Sequence, residues 1–79
     1  MKKQEFVKQL ADFCEFGSQN LKLETPLKSI EGFDSLARMA IIAFVDENFN
    51  VKITAKQLQE LYDFNSIVQV IGENNFEND

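Results

Sequence analysis

One long apolar segment constrains the fold of this chain more than any other feature of its sequence. Between Asp34 and the acidic pair Asp46 and Glu47, almost every side chain is apolar, in the run LARMAIIAFV. Because Asp34 is a good helix N-cap, a helix is predicted from Ser35 to about Phe49. A helix that packs against a core needs only one apolar face, and this segment has apolar residues on two.

A shorter helix and a long connection are predicted before this segment. Apolar side chains at helical spacing predict a first helix over residues 3–16, with Gly17 as its stop. Residues 18–34 are predicted to be irregular, with Gly32 allowing a tight turn before the long helix. The apolar side chains that anchor this connection are Leu21, Leu23, Leu27 and Ile30. A loop of this length in a compact domain is unusual and often functional.

Two further helices are predicted in the C-terminal part of the sequence. Thr54 and Gln57 form a capping box that opens a short third helix, AKQLQEL. Asn65 or Ser66 is expected to cap a fourth helix, IVQVIGE. The polar residues 73–79 are expected to form a frayed tail.

The composition favours a single helical domain. The chain has 79 residues with only three Gly and one Pro, which disfavours an all-β fold rich in tight turns. We therefore expect residues 1–79 to form one all-α domain. Its predicted architecture is a four-helix bundle with a long loop between helices 1 and 2 and a short third helix.

The charge of the chain and its missing residue types disfavour several functions. The net charge is −5 and the basic side chains are scattered, which argues against nucleic-acid binding, including DNA reading by a helix–turn–helix. The chain lacks histidine, the commonest general base and metal ligand, so enzymatic activity is not expected. Cys14 cannot form an internal disulfide and is expected to be a small core residue on a helix. No apolar run reaches the length of a membrane span, so a cytoplasmic protein is expected.

A calcium-binding interpretation of the segment after the long helix is also disfavoured. Asp46, Asn48 and Asn50 match the first three ligand positions of an EF-hand loop. However, Val51 stands where that loop needs glycine, and Gln57 stands where it needs a bidentate glutamate. No metal site is therefore expected.

Three stretches of the sequence together resemble one known family. ETPLKSIEGFDSL, VDENFNVKIT and NSIVQVIG are similar to segments of the acyl carrier proteins, which are phosphopantetheine-binding carriers, and the resemblance runs from Phe6 to Gly72. It implies that a dedicated transferase attaches 4′-phosphopantetheine from coenzyme A to Ser35, which Asp34 and Leu36 flank in the motif. The implied function is to carry acyl or related groups as thioesters, without enzymatic activity of its own.

The predicted position of Ser35 is compatible with this modification. A phosphodiester on Ser35 would lie at a helix N-terminus, where backbone N–H groups and the helix dipole favour negative charge. Asp34 would already cap part of that end. In the alternative interpretation, Asp34 is only a helix cap, and the protein is an unmodified helical interaction module.

Because the long helix has two apolar faces, the sequence does not decide how each of them is packed. The first face contains Ile41, Ile42, Val45 and Phe49. The opposite face contains Leu36, Met39, Ala40 and Ala43. The opposite face either packs under the long loop or the third helix, or forms a docking surface for partner enzymes, as the resemblance implies. The partner-docking residues so implied are Leu36, Arg38, Met39, Ala40, Ala43, Asp46 and Glu47.

The first turns of the long helix depart from the family pattern. Carriers of fatty acid synthesis usually have several acids there, whereas this chain has the sequence ARMA at residues 37–40. We therefore expect a specialised carrier from a dedicated pathway, with an exposed Arg38 that affects partner choice. The implied partners are a phosphopantetheinyl transferase and acyl-transferring or acyl-activating enzymes. A monomer is expected, without nucleic-acid or membrane partners.

Overall fold

The computed structural model describes residues 1–77, and its helices surround an apolar core. Within this range the α-helices are α1 (Lys3–Phe13), α2 (Ser35–Phe49), α3 (Ala55–Glu60) and α4 (Phe64–Ile71). Two 3₁₀ turns, Leu27–Ser29 and Glu73–Asn75, lie before α2 and after α4. These residues form no β-strand. The prediction of an all-α four-helix bundle with a short third helix is confirmed.

The core is built from the inward faces of all four helices. Every buried side chain in residues 1–77 is apolar. The largest side chains that are fully buried include Phe6, Leu10, Leu27, Ile41, Leu58, Phe64 and Ile67. Among residues 1–77, no helix combines the length and the apolarity needed to cross a bilayer.

The α2 helix buries the first of its two predicted apolar faces. Ile41 and Val45 are fully buried, and Ile42 and Phe49 pack against the core. On the opposite face, Leu36 is 77% exposed and Met39 is 66% exposed. Neither the long loop nor α3 covers these two side chains. The second face of α2 is therefore largely open to solvent around its first two turns.

The α1 helix ends earlier than its sequence pattern predicts. It stops at Phe13, and Cys14 is its C-cap. The N–H of Phe16 then donates to the carbonyl of Ala11 at 2.9 Å, and the N–H of Glu15 donates to that of Asp12 at 3.2 Å. These two bonds form a Schellman motif with Glu15 in the left-handed conformation, at φ 58°. The helix is thus closed before Gly17, which lies beyond its end.

The α4 helix begins earlier than predicted, and its N-cap is Asp63. Asp63 Oδ1 accepts a hydrogen bond from the N–H of Ser66 at 2.9 Å. Asn65 and Ser66, the two predicted caps, lie inside the first turn. Helix formation starts at Phe64 because Asp63 caps the helix there, and the Phe64 side chain is fully buried in the core. In contrast, the predicted capping box of Thr54 and Gln57 at the start of α3 is confirmed.

The segment predicted to be a frayed tail packs against the fold in residues 73–77. Phe76 is only 8% exposed, and its ring lies 5.3 Å from that of Phe6 and 5.0 Å from that of Phe49, between centroids. Glu77 pairs with the N-terminal ammonium group at 2.9 Å. The prediction is wrong for these residues because Phe76 completes the aromatic part of the core. Residues 78 and 79 lie outside the described range.

Candidate functional site

Ser35 is the first residue of α2, and its hydroxyl is accessible to solvent. The preceding residue, Asp34, has an extended backbone and caps the helix. Its Oδ1 accepts a hydrogen bond from the N–H of Ala37 at 2.9 Å. Ser35 and the following Leu36 are both exposed, so the hydroxyl lies at the surface of the helix start.

The long loop that leads into this site is tied together at its two ends. Gln19 Nε2 donates to the carbonyl of Phe16 at 2.7 Å and to that of Glu31 at 2.8 Å. Gln19 Oε1 accepts from the N–H of Glu31 at 3.0 Å. Gly32 then makes the final turn with φ 90°, a conformation that favours glycine. These bonds of Gln19, which no local sequence pattern indicates, hold the end of the loop at Glu31 against its beginning at Phe16.

Arg38 is the charged side chain that contacts Ser35. Its Nη2 donates a hydrogen bond to Ser35 Oγ at 3.2 Å, and its guanidinium carbon lies 5.7 Å from the centre of the Phe33 ring. Arg38 is half-buried, so the expectation of an exposed arginine is wrong. The Phe33 ring supports the guanidinium group from one side. A fixed positive charge therefore lies next to the hydroxyl, close to the positive end of the α2 dipole.

Two concave surfaces of opposite character lie beside the start of α2. The first, which we call the basic pocket, has a volume of about 520 Å³. It is lined by Leu27, Lys28, Phe33, Arg38, Leu58, Gln59, Glu60 and Leu61. The second, which we call the acidic groove, has a volume of about 330 Å³ and separates the end of α1 from α2. It is lined by Phe13, Cys14, Glu15, Gly32, Asp34, Leu36, Ala37 and Ala40.

Cys14 lies in the acidic groove as a protonated thiol. Its Sγ is 3.8 Å from the carbonyl oxygen of Ala37, which accepts a weak hydrogen bond. Burial raises the pKa of the Cys14 thiol from its ordinary value of 9.0 to about 11. The thiolate is therefore scarce near neutral pH, and Cys14 is a poor nucleophile. It is a half-buried C-cap residue rather than a core residue within the helix.

The docking residues predicted on α2 fall into two separate groups. Leu36, Arg38 and Met39 lie in the first two turns near Ser35, with Ala40 and Ala43 on the following turns. Asp46 and Glu47 lie in the last turns, so that Asp46 is about 16 Å along the helix axis from Ser35. Lys52 Nζ also contacts both carboxylate oxygens of Asp46 at 3.2 Å. Asp46 and Glu47 therefore do not lie close to Ser35.

The residues that match part of an EF-hand are not arranged as a loop. Asp46 and Asn48 lie within α2, and Asn48 Nδ2 donates to the carbonyl of Phe44 at 2.9 Å. Asn50 is the left-handed C-cap of α2, with φ 57°. These three residues therefore form the C-terminal end of α2 and not an EF-hand loop.

The fold and this site define a small helical carrier domain, and comparison with known families agrees. A family model described as a phosphopantetheine attachment site matches residues 4–72 of the 79-residue chain. The chain belongs to this family, and the resemblance to acyl carrier proteins is confirmed. Its cofactor is covalently attached 4′-phosphopantetheine. Searches of curated proteins and of solved structures found no match.

The chemistry around Ser35 fits this group. A phosphodiester needs an exposed hydroxyl for attachment and positive partners for its charge. The exposed Ser35 hydroxyl meets the first need, and the adjacent Arg38 guanidinium meets the second. The first N–H groups of α2 add partial positive charge, since only that of Ala37 is satisfied by the Asp34 cap.

Proposed function

We propose that the protein carries acyl or related groups as thioesters on a phosphopantetheine arm attached to Ser35 Oγ, and that it is not itself an enzyme. One observation carries this proposal. Ser35 opens α2 with an exposed hydroxyl, and the Arg38 guanidinium lies 3.2 Å from its oxygen. When bound, the arm supplies a thiol that holds the cargo.

The chain's own residues prepare this position. Asp34 starts the helix and satisfies the N–H of Ala37, which keeps Ser35 in the first turn. Arg38 would donate hydrogen bonds to a phosphodiester oxygen and neutralise part of its charge. Leu36 follows the serine as an exposed apolar side chain that a partner can cover.

The proposed partners are a phosphopantetheinyl transferase and enzymes that activate or transfer acyl groups. Their docking surface is proposed to include Leu36, Arg38, Met39, Ala40 and Ala43, with Asp46 and Glu47 at its far end. The first turns of α2 lack acids, which supports a specialised carrier in a dedicated pathway. We further propose that it acts as a cytoplasmic monomer.

Intact mass spectrometry tests the attachment. The purified protein is incubated with coenzyme A and a broad-specificity phosphopantetheinyl transferase. We expect the wild type to gain the mass of one phosphopantetheine and Ser35→Ala to gain none. Ser29→Ala and Ser66→Ala are matched controls that should be modified like the wild type.

Two outcomes would contradict the proposal. Modification of Ser35→Ala would show that another side chain carries the arm. If the wild type gained no mass while a known carrier in the same reaction was modified, the alternative of an unmodified interaction module would be favoured.

A further inference from the structure

We propose that the transferase that loads Ser35 docks on the acidic groove, with Phe13 as its apolar anchor and Glu15 as the charge that guides it. This inference rests on the proposed function and identifies the side from which one partner approaches. Both residues belong to the end of α1, to which the sequence pattern assigns no docking role. The proposed docking surface thus extends from α2 onto the end of α1.

Phe13 has the properties of a preformed anchor. It is 48% exposed, yet its ring contacts Phe44 edge-on, with 5.6 Å between the ring centroids. This contact holds the ring in place before any partner arrives. Leu36, which is 77% exposed, lines the same groove. Aromatic side chains that are held rigidly beside other apolar surface dominate the binding energy of many interfaces.

The acidic groove and the basic pocket, which both lie beside the start of α2, differ in charge. Both charged residues that line the acidic groove, Glu15 and Asp34, are acids, whereas the basic pocket is lined by two cations, Lys28 and Arg38, and one acid, Glu60. An enzyme that uses coenzyme A must bind its phosphates, so it presents basic groups near the transferred group. Such a surface is attracted more strongly to the acidic groove than to the basic pocket.

The backbone at Glu15 gives an independent reason to assign this residue a role outside the fold. Its φ of 58° places it in the left-handed region, at the position of a Schellman motif where glycine is most favourable. A glycine would close α1 with less strain. Closing the helix does not itself require a carboxylate at this position, so the Glu15 side chain is available for a partner with basic groups.

Steady-state loading kinetics with coenzyme A and a broad-specificity phosphopantetheinyl transferase test the inference. We expect Glu15→Lys to raise the KM for the carrier by about five-fold or more, with kcat nearly unchanged. The difference from wild type should shrink as salt is added. Glu60→Lys makes the same change in net charge on the wall of the basic pocket and should leave KM near the wild-type value.

Further variants separate docking from folding. Glu15→Gly should raise KM while the melting temperature stays equal to that of the wild type or rises. Phe13→Ala should also raise KM, whereas Tyr62→Ala, which removes an aromatic side chain that is 66% exposed outside the groove, should not. If Phe13→Ala does not fold, the two Glu15 variants decide the question.

Each remaining outcome overturns a specific statement. Wild-type KM in both Glu15 variants overturns the docking inference and leaves the proposed function intact. An equal rise in KM for Glu15→Lys and Glu60→Lys assigns the effect to net charge and also overturns the inference. If the wild type is not loaded at all, the proposed function fails and this inference fails with it.

Discussion

At the scale of single residues, Arg38 takes part in three features of the site. It donates to Ser35 Oγ, it is supported by the Phe33 ring, and it lines the basic pocket. In carriers of fatty acid synthesis, this part of the helix usually carries acids that meet basic patches on partner enzymes. A fixed cation here would repel such patches, which gives selectivity between partners.

The first prediction at this scale concerns the replacement Arg38→Glu. We expect acyl loading of the holo-protein by a general fatty acid synthase partner to improve, because the repulsion is removed. The free energy of unfolding should change by about 1 kcal/mol or less, since the lost contacts are one hydrogen bond and one half-exposed cation–π contact. Loading assays and thermal denaturation measure the two effects.

The control for this replacement is Arg38→Lys, which keeps the charge and should keep the poor loading. A large loss of stability in Arg38→Glu would show that the arginine is structural. Unchanged loading would show that it does not discriminate between partners.

At the scale of secondary structure elements, the caps decide where the helices begin and end. Asp34, Thr54 and Asp63 each accept a hydrogen bond from a first-turn N–H group. The Asp34 cap matters most for function because it sets Ser35 as the first helical residue. The cap of α4 is Asp63, whereas the sequence pattern predicts Asn65 or Ser66.

We predict that Asp63→Ala lowers the free energy of unfolding by about 1 kcal/mol, the usual effect of losing an N-cap. Asn65→Ala is the matched control, because Asn65 is exposed inside the first turn of α4 and should change stability by about 0.5 kcal/mol or less. Urea denaturation of the two variants gives both values. A larger loss for Asn65→Ala than for Asp63→Ala would restore Asn65 as the cap.

At the scale of the whole molecule, residues 1–3 meet residues 73–77 beside the aromatic core. The N-terminal ammonium group pairs with Glu77, Lys3 pairs with Glu73, and Phe76 packs between Phe6 and Phe49. Glu73, Phe76 and Glu77 lie beyond residue 72, where the family match ends. The segment after α4 therefore contributes to the stability of this chain.

We predict that Phe76→Ala lowers the free energy of unfolding by about 2–4 kcal/mol, because it removes a buried aromatic ring at the edge of the core. Glu77→Gln removes an exposed ion pair in the same segment and should leave the denaturation midpoint close to that of the wild type. Equal midpoints for Phe76→Ala and the wild type would show that the segment is loose, as its polar sequence first indicated.

The features that depend on local pattern can be predicted from the sequence alone. The bounds of α2 follow from the Asp34 cap and the apolar run, and the start of α3 follows from the Thr54–Gln57 box. These features are readable because helix caps and helical periodicity involve residues only three or four positions apart. The motif around Ser35 is local in the same sense.

Only the tertiary structure decided which distant residues meet around that motif. Glu15 and Arg38 are 23 positions apart in the chain, yet each lines a concave surface beside the start of α2. Phe76 is 70 positions from Phe6, yet the two rings pack together. Such pairings follow from how the apolar faces of all four helices are buried at once, a condition on the whole core that no local segment contains.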